Sequence, residues 1–379
     1  MSAPATLGAA LSLLVVTAAF VRAEDVPIGR FVELPFGVAR AHPYPTSGAN
    51  GRRNGRVDVR VPAQPPERRF LRPLSTRRLT PPAVLDDGTL VMGSARGVHA
   101  VAADGTLRWE VDLGQVRFTP AVLPAGELLA VTDEGRAFRL DAAGQARELR
   151  TPGPLTGMPL LLDGGAVLVG GRKSTAHVVD LDGDVLLSVA TRVSNPIWTA
   201  QVGGGLLLSA GVSRELTLLS LHAGLERNLS LPERVIRPPV VGDDGRIWVV
   251  GEQGTLFGLD ARGRVRATVL LGARGATAPV VGRDGNLRIG LPSREILCLG
   301  PDGSERWRRG IDGRPGPLLL DADDTLLVVS ARGSLHAIDR DGELRYRVVT
   351  GASGAGRPVL GPDGTVYIVS RDGRLQAFR

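Results

Sequence analysis

Cysteine occurs once in the 379 residues, as Cys298, and lysine once, as Lys173, while aromatic residues make up 4% of the chain. A single thiol excludes any disulfide framework within the chain, and no cysteine stands near the end of the N-terminal apolar stretch to take a covalent lipid. Flanked by Leu297 and Leu299, Cys298 reads as a buried, inert thiol. The scarce aromatics are not interleaved with basic residues, so the stacking platform that single-stranded nucleic acid needs is missing. The formal charge of +7 is carried almost wholly by arginine. That is a compositional bias, and no nucleic-acid partner is expected from it. Beyond the first 23 residues no apolar run is long enough to span a bilayer, and from residue 67 onward no segment keeps a period of 3.6, which leaves little room for helix.

What is present instead is a repeat. A proline or its equivalent opens a short apolar run at Pro82, Pro120, Pro159, Thr199, Pro239, Pro279, Pro317 and Pro358, at intervals of 38 to 41 residues. Between β-rich runs stand turn dipeptides: Asp87-Gly88, Asp244-Gly245, Asp284-Gly285 and Asp363-Gly364 in the first turn, Asp104-Gly105, Asp182-Gly183, Asp302-Gly303 and Asp341-Gly342 in the third. Glycine supplies the positive φ of a tight hairpin and aspartate bonds its own turn. Each unit is therefore expected to be a four-stranded antiparallel meander, and the repeat length points to a β-propeller. The eighth copy stops at Arg379 after three strands. Phe70 precedes Pro82 much as Trp109 precedes Pro120 and Trp307 precedes Pro317, so Arg68–Leu71 is expected to supply the missing outer strand. The fold class read from the sequence is all-β: an eight-bladed propeller of four-stranded antiparallel blades, closed by an N-terminal strand.

Three regions follow from this. Residues 1–23, apolar from Leu7 to Phe20 and ending Val21-Arg22-Ala23, read as a signal peptide, which implies a periplasmic or secreted bacterial protein with no transmembrane span in its mature form. Residues 24–66, rich in proline and containing GANGRRNGR at 48–56, read as an irregular lead-in. Residues 67–379 are the repeat domain, which needs its copies packed on one another to bury a core and is expected to be monomeric.

The segments GVHAVAADGTLRW at Gly97–Trp109 and GSLHAIDRDGELRY at Gly333–Tyr346 resemble the tryptophan-docking repeat of pyrroloquinoline-quinone-type propellers. The resemblance covers about residues 70–379. It implies structural docking roles for Trp109, Trp307 and Tyr346 between neighbouring blades. That superfamily includes quinoprotein dehydrogenases and a propeller lipoprotein that assists outer-membrane protein assembly. The vicinal cysteine pair and calcium-binding acidic residues of the dehydrogenases have no counterpart here. The expectation is a non-catalytic member with no cofactor and no metal, acting as an envelope scaffold for a protein or anionic macromolecule. The alternative is a small quinone-dependent dehydrogenase, and Trp198 is the one indole placed to stack on a ligand near the channel.

Catalytic and metal constellations are weak. His99, His177 and His336 share a third-strand position that other copies fill with Phe138, Phe257 or Leu297, which marks a packing site. Asp180-x-Asp182-Gly183-Asp184 lacks the bidentate glutamate of a calcium loop. Gly351-Ala-Ser-Gly-Ala-Gly356 joins two strands, so it is no phosphate loop. Charge placement says more. First and third turns are rich in aspartate, whereas second turns and inter-blade connections are rich in arginine. Connection parity puts these on opposite faces, so one face should be acidic and the other basic. Arg96, Arg214, Arg294, Arg332 and Arg371 occupy equivalent second-turn sites and form the candidate surface for an anion or a partner.

Overall fold

The computed structural model describes residues 44–379 apart from 45, 47, 75, 77, 124, 152, 163–164, 170–174, 181–183, 194–196, 204, 221–223, 353 and 355. The leader, the first part of the lead-in, His42 and His222 lie outside the described residues, as does most of the Asp180–Asp184 run.

Aspartate and glycine set the hairpins. In the first turns, Asp87, Asp244, Asp284 and Asp363 each accept the backbone N–H two residues on, at 2.9–3.0 Å, and Gly245, Gly285 and Gly364 take φ of 76°, 73° and 85°. Apolar runs between these turns then pair into eight four-stranded antiparallel sheets. Sheet 1 holds Ala83–Val84, Leu90–Gly93, Gly97–Val101 and Leu107–Asp112; sheet 2 holds Ala121–Val122, Leu128–Val131, Ala137–Leu140 and Ala146–Glu148. Sheet 3 holds Leu160–Leu162, Gly165–Val169, Thr175–Asp180 and Val185–Ala190; sheet 4 holds Trp198–Gly203, Leu206–Ala210, Glu215–Ser220 and Gly224–Ser230. Sheet 5 holds Val240–Val241, Ile247–Val250, Thr255–Leu259 and Val265–Leu270; sheet 6 holds Val280–Val281, Leu287–Leu291, Glu295–Leu299 and Glu305–Gly310. Sheet 7 holds Pro315–Leu320, Leu326–Ser330, Ser334–Ile338 and Leu344–Val349. Sheet 8 joins Val359–Leu360, Val366–Val369 and Arg374–Phe378 to Arg68–Pro73, with Phe70 opposite Ala377 and Leu71 opposite Gln376.

Burial follows strand position. Second and third strands are buried on both faces because neighbouring sheets stack on them, whereas fourth strands alternate, as in the half-buried, exposed pattern of Leu107–Asp112. The core is accordingly divided into layers between adjacent sheets: Trp248, Val250 and Leu256 of sheet 5 pack on Val281, Leu287 and Leu297 of sheet 6. Trp198 belongs to such a layer, 8% exposed among Ala200, Leu208 and Leu216. It is a core indole, which tells against the ligand-stacking role that the dehydrogenase alternative would give it. The first strand of sheet 1 lies beside those of sheets 2 and 8.

Candidate functional site

The innermost strands of a propeller leave their outer-facing N–H and C=O groups without a partner along the central channel. Here the lead-in supplies one. Gly51 accepts the N–H of Gln201 in sheet 4, Arg52 that of Val241 in sheet 5, Asn54 that of Val281 in sheet 6 and Gly55 that of Leu320 in sheet 7, all at 2.8–3.0 Å. Val57 donates back to Leu320, Val59 accepts from Ala322, and Tyr44 accepts from Val84 of sheet 1. The described residues of 44–61 thus follow the inner edges from sheet to sheet. The segment is knotted by asparagine: Asn50 Nδ2 donates to Asn54 Oδ1 at 2.7 Å, while the side-chain oxygens of Asn50 and Asn54 accept the N–H groups of Arg52 and Arg56. A side chain at Gly55, where φ is 72°, would meet Val280 Cγ1 at 2.3 Å. The GRRNGR spacing is therefore a fit to the channel wall. Over its described residues the lead-in is hydrogen-bonded to the inner strands of sheets 1, 4, 5, 6 and 7.

Arg53 occupies the centre of this plug and is 3% exposed. Its Nε donates to the Thr199 carbonyl at 2.6 Å and Nη2 to the Pro159 carbonyl at 3.4 Å. Burial lowers its pKa to about 10, with Tyr44 opposing and Arg357 adding to the shift. The flanking arginines turn to the first-turn face. Arg52 and Arg56 pair with Asp243 at 2.6 and 2.9 Å, Arg60 with Asp323 at 2.8 Å, and Asp58 with Arg283. Arg108 of a fourth strand pairs with Asp87 at 2.8 Å, and Arg246 of a first turn with Asp244 at 3.3 Å. The aspartate-rich face expected from the sequence is thus largely paired within the chain.

The opposite face differs. Arg96, Arg214, Arg294, Arg332 and Arg371 all fall in connections between second and third strands, and all are exposed. Arg96 lies 3.7 Å from Asp112. Beneath this face Asp312 is enclosed: it accepts from Ser334 Oγ at 2.6 Å, contacts His336 Nε2 at 2.9 Å and pairs with Arg347 at 2.7 Å. Burial works to raise the Asp312 carboxyl, but hydrogen bonds from Ser334, Ser330 and His336 outweigh it and hold it far below the ordinary carboxylate range. Although serine, histidine and aspartate meet here, the serine and the imidazole both address the carboxylate, so the hydroxyl has no base. His99 sits 2.8 Å from Ser94 Oγ and His177 2.9 Å from Ser188 Oγ; burial lowers both imidazoles. The three histidines are not brought together, and no group of three or more His, Cys, Asp and Glu side chains suited to a metal occurs among the described residues.

The docking aromatics divide. Trp109 Nε1 donates to the Ala142 carbonyl at 2.9 Å and Trp307 Nε1 to that of Arg340 at 2.8 Å, each in the next sheet's third turn. Both indoles are half-buried, short of the burial expected, because a fourth strand turns one face to solvent. Tyr346 is 4% exposed, and burial raises its phenol. Sequence reasoning missed the plug and the Asp312 enclosure. The glycine and asparagine alternation at 48–56 was the available signal for the first, while the second joins residues 22 and more apart in sequence and left none.

Residues 293–379 match the family model described as outer membrane protein assembly factor BamB. No curated protein sequence matches the chain. Many solved structures share the fold. One is the crystal structure of BamB from Moraxella catarrhalis, which superposes with a TM-score of 0.62 at 15% identity, covering 83% of this chain and 99% of that one. The C-terminal repeats at residues 293–379 are therefore similar to that family's propeller repeat, and the fold of the chain is similar to that of the solved propeller.

Proposed function

We propose that the protein is a non-catalytic scaffold of the bacterial cell envelope, periplasmic or secreted and monomeric, in which the eight sheets are the blades of one ring closed by Arg68–Pro73. In this reading it serves outer-membrane protein assembly or a related envelope process by holding a protein partner on its second-turn face. The observation that carries the proposal is the plug: residues 44–61 line the inner strand edges and neutralise the first-turn aspartates. The arginine-bearing loops are then the face left to a partner. The family match over residues 293–379 supports the assembly role. A quinone-dependent dehydrogenase is disfavoured by the residues themselves, since Trp198 and Trp248 are core indoles and Cys298 stands alone.

Photo-crosslinkers at Arg332 and at Asp86, placed on opposite faces of the full chain in the native envelope, test this. A partner captured from position 332 and not from 86 is the expected result. Capture from neither, or quinone-dependent oxidation of an alcohol or sugar by the purified protein, overturns it.

A further inference from the structure

The arginines of the second-turn face are unevenly placed. Arg294, Arg332 and Arg371 stand on three successive sheets, 6, 7 and 8, and Arg96 of sheet 1 continues the arc. The corresponding turns of sheets 2 and 5 carry Asp133-Glu134 and Glu252-Gln253 instead. Within the arc the carboxylates are already committed. Asp312 is enclosed by Ser334, His336 and Arg347, Glu295 is held by Ser293 at 2.6 Å and Arg308 at 3.3 Å, and Asp372 pairs with Arg374 at 3.0 Å. Among the described residues no carboxylate lies within 4 Å of the guanidinium groups of Arg294, Arg332 or Arg371.

The backbone beneath favours display. The stem of Arg332 rests on Gly313 and that of Arg371 on Gly354, each a glycine in the connection leading into that arginine's own sheet. Arg294 is held at φ 71°, a conformation costly for a side-chain-bearing residue, which the surrounding turn must impose. Of the large exposed hydrophobics among the described residues, Leu71, Val265, Leu270 and Leu344 lie on outer strands away from the arc and Val212 on sheet 4, while Val349, opposite Ser334, stands at its rim. A bilayer-binding surface would pair its basic residues with several apolar ones that insert, and this arc offers a single valine. Separate guanidinium groups on successive sheets suit carboxylates, which they can grip through two parallel hydrogen bonds.

We infer that the arc Arg294–Arg332–Arg371–Arg96 binds an acidic, extended protein segment that presents carboxylates to successive sheets. This rests on the scaffold reading and names the partner's chemistry. The test is fluorescence anisotropy with a labelled glutamate-rich peptide and the full chain, at about 50 and about 300 mM salt. Binding should weaken about tenfold at the higher salt and about tenfold again in R294E/R332E/R371E. The variant R69E/R72E/R264E, which reverses the same number of charges on or next to outer strands, should bind within about twofold of wild type. Absence of binding at low salt, equal loss in both variants, or retention by phosphatidylglycerol vesicles that the peptide does not compete away would overturn the inference. Because wild-type binding is itself a required outcome, poor folding of a variant cannot rescue it. If a crosslinked envelope partner is held equally by R294E/R332E/R371E, the arc is wrong and the scaffold stands; if the peptide binds but no envelope partner is captured, the reverse holds.

Discussion

Phe70 lies against Gly105 as Trp109 lies against Gly144 and Trp307 against Gly342. A methyl group at the three glycines would meet the rings at 3.0, 2.7 and 2.7 Å, and all three glycines have positive φ, at 90°, 84° and 89°. The first pair joins sheet 8 to sheet 1 through Phe70 of Arg68–Pro73, the strand that the N-terminal part of the chain adds to sheet 8. The same contact that ties the other sheets therefore holds the one sheet assembled from both ends of the repeat region.

Gly342→Ala should destabilise the protein by about 1–3 kcal/mol, since alanine must both accept left-handed backbone and displace an indole. Trp307→Ala should cost about 2–3 kcal/mol, less than a fully buried tryptophan because one face is already in water. Urea denaturation measures both. The double variant should cost less than the sum, because each substitution removes the other's contact.

This docking was legible in the sequence because it repeats: aromatic and glycine recur at a fixed offset in several copies. The turn aspartates were legible for the same local reason. The plug was not. Arg53 meets Thr199 and Pro159, more than a hundred residues away, through backbone carbonyls that carry no residue signature. The paired state of the acidic face was hidden with it, since Asp243 looks like any turn aspartate until Arg52 and Arg56 arrive.

If the lead-in carbonyls protect the inner strands, the amides of Gln201, Val241, Val281 and Leu320 should exchange slowly with solvent deuterium in the native protein. Gly55→Val drives a side chain into Val280 and forces the left-handed backbone of Gly55 on a β-branched residue. It should speed exchange at those four amides by at least about tenfold, with smaller changes in third strands. Equal exchange in both proteins would mean that the lead-in does not hold the channel wall.

Arg288 is wholly buried and grips Asp284 with two hydrogen bonds, at 2.8 and 2.9 Å. Asp284→Asn leaves that guanidinium without its charge partner and should cost about 3–5 kcal/mol, whereas Asp284→Asn with Arg288→Met should recover much of the loss. Burial works to raise the Asp284 carboxyl, but the hydrogen bonds from Arg288 prevail and lower it. Like Asp312, it therefore contributes stability that is present above the unfolded value of about 3.9 and is lost as pH falls toward the folded value. Unfolding curves between about pH 5 and pH 2 should steepen in wild type and flatten in Asp312→Asn.

Cys298 gives the last check on the layered core. It stands opposite Arg288 on one side and Trp307 on the other in the ladder of sheet 6, is 0% exposed, and burial pushes its thiol up to about 11, despite the nearby Arg288 charge. Reaction with a disulfide reagent needs an exposed thiolate. The native protein should therefore release no reporter thiolate at neutral pH, while the urea-unfolded chain releases one equivalent. Because no other cysteine competes, the labelling rate in sub-denaturing urea reads the opening of sheet 6 directly. It should rise in Trp307→Ala, which removes the indole beside the sulfur, and stay unchanged in R69E/R72E/R264E. Rapid labelling of the native protein would show that sheet 6 opens locally and that its neighbours do not seal it.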